Sequence, residues 1–204
     1  MIFIDDSKKK IYPFTHWVFN KVFTENIVEE LSNINLKPLK YQKQNGTREI
    51  NNATRFFLNN DNCLKYPIFK SVVNIFQQKN NIIKLENISG SNLQKGKLRI
   101  EYAMDEGDFW LEPHLDIKEK LLTFLIYLSG DLGSDQWGTT LYNSDLTYHS
   151  QVPYRKNLGF MFVAGNNTWH GFEKQKIDGI RKCLIINYVT NDWKSIHELA
   201  PKFK

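Results

Sequence analysis

The chain has 204 residues, enough for one well-buried domain and short for two, so a single domain is expected. A hydrophobic fraction of 41% with 14% aromatic residues excludes a disordered chain. The formal charge of +5 rests on basic residues that are mostly lysine, 22 of 27, scattered among Asn and Ile; such scatter argues against nucleic acid as the partner.

The first ten residues place acids and lysines where a signal peptide needs an apolar core, and no later apolar run has the length of a membrane span. Cys63 and Cys183 are the only cysteines, which fits a reducing compartment without a disulfide framework. The expectation is a soluble, cytoplasmic protein with no membrane partner; nothing in the sequence sets an oligomeric state.

In chain order, residues 11 to 23 alternate after Pro13 as a strand that carries Phe14, Trp17 and Phe19 toward a core. Thr24 is placed to cap a helix over 25 to 34, where Ile27, Val28, Leu31 and Ile34 form one apolar stripe. From Lys37 to Asn62 the chain is polar, with an Asn45-Gly46 turn signal, and the part from Lys43 to Asn60 is expected to close over a substrate. Pro67 starts a helix bearing Ile68, Val72, Val73, Ile75 and Phe76, and a shorter helix over 79 to 87 ends before Gly90.

Beyond Gly96 the pattern turns to strands. Leu98, Ile100 and Tyr102 alternate with Arg99 and Glu101, so the first three face a core. Residues 103 to 113 read as a loop, Leu121 to Ser129 as a central strand apolar on both faces, and Thr139 to Tyr142 and Leu158 to Ala164 as short strands. Asp178-Gly179 reads as the turn before a last strand over Arg181 to Val189. The fold expected is mainly β with N-terminal helices (α+β): a double-stranded β-helix, or jelly roll, over 96–190, covered on one face by the helices of 1–95, with 191–204 as a C-terminal tail.

Within that core, His114 and Asp116 stand two residues apart, so on extended chain both side chains leave one face and grip a common ion. His170 lies in a later strand-like segment suited to supply a third ligand. Two histidines and a carboxylate on one side of a metal form the facial triad of non-haem Fe(II) oxygenases.

The ordered set Tyr102, His114-x-Asp116, Leu122 to Ser129, Gly138-Thr139-Thr140-Leu141-Tyr142, His170-Gly171 and Arg181 resembles the 2-oxoglutarate and Fe(II)-dependent oxygenases, most closely the prolyl 4-hydroxylase-like branch. The resemblance covers about half the chain. It implies Fe(II) on His114, Asp116 and His170, with 2-oxoglutarate and O2 as cosubstrates. By the same resemblance Arg181 is the cation for the distal carboxylate of 2-oxoglutarate, and a planar fork suits that role. Tyr127 shares the carboxylate, Tyr102 is a second pocket tyrosine, and Thr123 lines the pocket.

The implied reaction is hydroxylation of a C–H group coupled to oxidative decarboxylation of 2-oxoglutarate to succinate. With Asp116 present, hydroxylation is expected over halogenation. Two departures stand out: Cys183 where relatives often carry Ser or Thr two residues after the arginine, and Trp137-Gly138 where Gly-Gly is more usual. The preferred substrate is a small metabolite or saccharide precursor. The alternatives are peptidyl proline on a protein partner, a metal-binding cupin, and a non-catalytic binding module on an oxygenase-like fold.

Overall fold

Alternating side chains on a few central strands give this chain two cores, one on each face of a single sheet. The computed structural model describes residues 2–4, 6–37, 46–47, 55–130 and 133–203. Its strands are β1 (Ser7–Lys10), β2 (His16–Phe19), β3 (Arg55–Phe57), β4 (Lys97–Gly107), β5 (Leu111–His114), β6 (Lys120–Tyr127), β7 (Thr140–Tyr142), β8 (Tyr148–Gln151), β9 (Gly159–Phe162), β10 (His170–Phe172) and β11 (Ile177–Val189). Among the described residues they form a seven-stranded sheet in the order β1-β2-β9-β6-β11-β4-β3 and a four-stranded sheet in the order β5-β10-β7-β8. Neighbours within both sheets run antiparallel. This is the expected jelly roll, with helices on the outer face of the larger sheet.

The helices are α1 (Glu25–Ser32), α2 (Asn60–Lys65), α3 (Pro67–Gln77) and α4 (Lys79–Ser89). Pro67 opens α3 where its missing N–H costs nothing. Gly90 ends α4 in the left-handed conformation, φ 75°, which a side chain would strain. Helix α2 begins at the end of the stretch that reads as polar loop; the Asn59 side chain caps it by accepting from the Asn62 amide at 3.1 Å. From α1 and α3, Val28, Leu31, Phe69, Val72 and Phe76 pack on Ile100, Tyr102, Phe124, Ile126, Leu184 and Ile186 of the sheet. Burying each such side chain contributes roughly 1.5–3 kcal/mol.

The second core lies between the sheets and is built by the intervening residues of the same strands: Ala103, Leu125, Tyr127, Cys183 and Ile185, against Leu141 and Phe172 of the smaller sheet.

One strand is additional to those expected, and two local expectations change. The lysines of β1 are an edge strand paired with β2, and exposed lysines are what an edge needs to discourage further pairing. Residues 103 to 107 continue β4, because Ala103 and Asp105 are paired to β11 and Ala103 also to β3. Asp178-Gly179 makes a bulge within β11: the register with β4 shifts between Ile177 and Arg181, and Gly179 takes up φ 131°. The proposed substrate cover, 43 to 60, falls mostly outside the described residues.

Candidate active site

The two histidines meet because β5 and β10 pair with His114 directly opposite His170. Their rings stand 4.3 Å apart, and Asp116 follows on the segment leaving β5. Gly171 permits this approach, since a Cβ there would lie 2.6 Å from the Leu111 carbonyl oxygen and 3.0 Å from that of Glu112. One ligand atom from each of His114, Asp116 and His170 lies within 4.8 Å of the others.

Both imidazoles are oriented for a metal. His114 Nδ1 sits 2.9 Å from the Glu112 carbonyl oxygen and His170 Nδ1 2.9 Å from that of Thr168. A carbonyl only accepts, so Nδ1 carries the proton and Nε2 holds the lone pair that a metal would take. Asp116 accepts from the Thr123 hydroxyl at 2.6 Å, and its other oxygen is paired with the Lys120 ammonium. Burial pushes this carboxyl up, but Lys120, His170 and Thr123 outweigh it and hold it well below the ordinary range. An N,N,O donor set of this kind, with an ionised carboxylate, fits Fe(II) and leaves further coordination positions open.

Thr123 thus touches the metal carboxylate and lines the cavity beside it. Asn187 stands one bond further back, donating to Thr123 Oγ1 at 2.9 Å.

Arg181 lines a cavity of about 50 Å³ that His114, Asp116 and His170 also line. Its guanidinium lies 4.8 Å from the Phe172 ring centre and 5.7 Å from those of Tyr127 and Tyr154. Nε donates to the Trp137 carbonyl oxygen at 2.6 Å, and Nη1 to Asp105 Oδ2 at 2.7 Å. Tyr127 lies behind the wall: its hydroxyl is 2.8 Å from Thr139 Oγ1 and accepts from the Thr139 amide at 2.9 Å, while Thr139 faces the cavity. Burial pushes the Tyr127 phenol up to about 12, so it remains a neutral hydrogen-bonding group. Cys183 is likewise neutral, its thiol pushed up to about 12 by burial.

Tyr102 does not belong to this site. It points to the opposite face of β4, donates to the Leu31 carbonyl oxygen at 2.8 Å and packs on Phe69. Even-numbered positions of β4 face the helices, so the positions that look into the jelly roll are Arg99, Glu101, Ala103 and Asp105.

Those residues, with Arg55 of β3, form a buried charged row that sequence reading missed. Arg99 pairs with Glu101 and, at 2.5 Å, with Glu198; Arg55 Nη1 donates to Asp105 at 2.6 Å. A signal was present in the composition. Only five basic residues are arginines, and three of them, Arg55, Arg99 and Arg181, are buried. A chain that uses lysine almost everywhere keeps the planar, permanently charged fork for interior pairs.

A larger cavity of about 580 Å³ also has His114 and Asp116 in its lining. Its walls include Glu112, Glu119, Lys120, Trp193 and Lys194. The segment beyond β11 is therefore a cavity wall, held by the Arg99–Glu198 pair and by Arg99 lying 5.0 Å from the Trp193 ring centre.

No family model and no curated protein matches the sequence. Solved structures do match, and the fold is that of the 2-oxoglutarate and Fe(II)-dependent oxygenases. A Pseudomonas putida prolyl-4-hydroxylase is similar with a TM-score of 0.61 at 12% identity, over 86% of this chain and 92% of that one. A prolyl hydroxylase from Trichoplax adhaerens, in complex with a hypoxia inducible factor peptide fragment, gives 0.57 at 13% identity, over 85% and 83%. HygX from Streptomyces hygroscopicus, with nickel and 2-oxoglutarate bound, gives 0.54 at 12% identity, over 88% and 84%. Among the described residues no helix is long and apolar enough to cross a membrane.

Proposed function

We propose that the chain is a 2-oxoglutarate- and Fe(II)-dependent dioxygenase that hydroxylates a C–H group of a small metabolite or saccharide precursor. The observation that carries this reading is one cavity lined both by a His-Asp-His cluster and by the buried Arg181.

Fe(II) held by His114, Asp116 and His170, with 2-oxoglutarate bound, would supply oxygen activation coupled to oxidative decarboxylation to succinate. The chain's own residues do the rest. His114 and His170 offer Nε2, Asp116 offers an oxygen, and the backbone carbonyls behind the two rings keep them aimed. Arg181, held by Trp137 and Asp105, orients the distal carboxylate. Phe109, Phe172 and Leu125 wall the cavity and exclude water from the reacting groups.

The larger cavity is of a size that takes a small ligand, and its abutment on His114 and Asp116 places such a ligand beside the iron ligands. This supports the small-molecule reading. The second reading, hydroxylation of peptidyl proline, is favoured by two prolyl hydroxylases among the structural neighbours, one of them holding a peptide. Cys63 and Cys183 are both free and buried, which supports a reducing, cytoplasmic setting.

The test is anaerobic titration of the purified protein with Fe(II) and then 2-oxoglutarate, followed by the visible charge-transfer band of the chelate. A band in the wild type that needs far more 2-oxoglutarate in Arg181→Ala supports the oxygenase reading. A folded protein that binds neither iron nor 2-oxoglutarate overturns it in favour of a binding module.

A further inference from the structure

The cavity that the triad lines is lined also by two arginines, and this inference rests on the reading of that cavity as the 2-oxo acid site. Arg55 reaches it from β3, whose register sets Arg55 against Ala103 of β4. Arg181 reaches it from β11, which pairs Arg181 with Asp105 on the other side of β4. Asp105 stands between them: Oδ1 accepts from Arg55 Nη1 at 2.6 Å and Oδ2 from Arg181 Nη1 at 2.7 Å. All three are buried. Both arginines line the cavity, whereas Asp105 lies behind them.

One carboxylate thus aligns two forks toward the same space. The neighbouring acid, Glu101, is 3.6 Å from Arg55 Nε, but its other oxygen is engaged by Arg99, which also binds Glu198. Among the described residues that line the cavity the cations are Arg55, Arg181 and Lys120 and the carboxylate is Asp116, so its surface offers an anion charge-assisted donors, while Asp105 balances the two arginines from behind. The resemblance leads one to expect a hydroxyl two residues after Arg181; the chain has Cys183, whose thiol turns to the Leu184 carbonyl oxygen. A second cation makes up for that missing donor.

We propose that Arg55 is a second arm for the distal carboxylate of the 2-oxo acid, and that Asp105 is the positioning residue that holds both forks. The pair makes the site selective for a 2-oxo acid with a distal carboxylate over one of equal length without it.

The test compares 2-oxoglutarate with 2-oxovalerate, which ends in a methyl group, by calorimetric titration of the Fe(II)-loaded protein under anaerobic conditions. Arg55→Met should weaken 2-oxoglutarate by about tenfold or more, the scale of one lost charge-assisted bond, and leave 2-oxovalerate within about twofold. Arg55→Lys should recover part of the preference, and it carries the same comparison should Arg55→Met fail to fold by circular dichroism. Asp105→Asn should lower the preference by a smaller factor. Equal weakening of both ligands in the folded Arg55 variants would reduce Arg55 to a structural role, and no weakening of either would remove it from the site; both outcomes overturn the proposal while leaving the oxygenase reading in place. A wild type that binds iron but no 2-oxoglutarate would overturn both.

Discussion

The two faces of β4, β6 and β11 are both buried, but the one toward the smaller sheet mixes charged and polar residues with its apolar ones. Toward the helices stand Ile100, Tyr102, Phe124, Ile126, Leu184 and Ile186. Toward the smaller sheet the same strands place Arg99, Glu101, Asp105, Thr123, Arg181 and Asn187, also almost fully buried. The apolar face stabilises the fold at little risk, since no polar group there goes unmatched. On the charged face each cation has to meet its carboxylate, because breaking one partner of a buried pair costs about 3–5 kcal/mol. A protein accepts that risk where chemistry needs fixed charges in a dry cavity.

Substitutions on each face sharpen this contrast. The largest effect is expected from His170→Ala, which should lower Fe(II) affinity by more than about 100-fold, since even an outer-shell partner costs about 10–100-fold; anaerobic titration reads it. On the other face, Phe124→Ala should destabilise by about 3–5 kcal/mol in urea unfolding while the folded protein binds iron as before. A loss of iron affinity in folded Phe124→Ala would show that the two faces are not separable.

Gly171→Ala should act between these extremes. The added Cβ would press on the Leu111 and Glu112 carbonyls and pry β10 from β5, so iron affinity should fall by about tenfold with a smaller change in stability. The smallest effect is expected from Tyr102→Phe, about 1 kcal/mol of stability from the lost bond to Leu31, with 2-oxoglutarate affinity unchanged. Any change in that affinity would return Tyr102 to the cavity side.

Much of this was legible in the chain. The helical stripe of Ile68, Val72, Val73 and Phe76 and the His114-x-Asp116 pair are short-range patterns, which local geometry alone translates into faces. Arg181 was legible because its strand follows His170 at a spacing that the resemblance recognises. Tyr102 was misplaced for a definite reason. In a strand covered on both sides, alternation says which residues share a face but not which face looks at the site.

Arg55 and Asp105 were illegible for the same reason. One sits within the stretch that reads as polar and the other in what reads as a loop, and 50 residues separate the two. Their meeting depends on three strands drawn from distant parts of the chain and on a bulge at Gly179 that sets the register of Arg181 against Asp105. By itself the sequence determined the class of fold, the His114-x-Asp116 pairing on one face and the apolar faces, because these follow from periods of 2.0 and 3.6 residues. Only the tertiary structure decided which charges share a cavity, because ladder register is a non-local property and a slip of one residue turns every side chain to the other face.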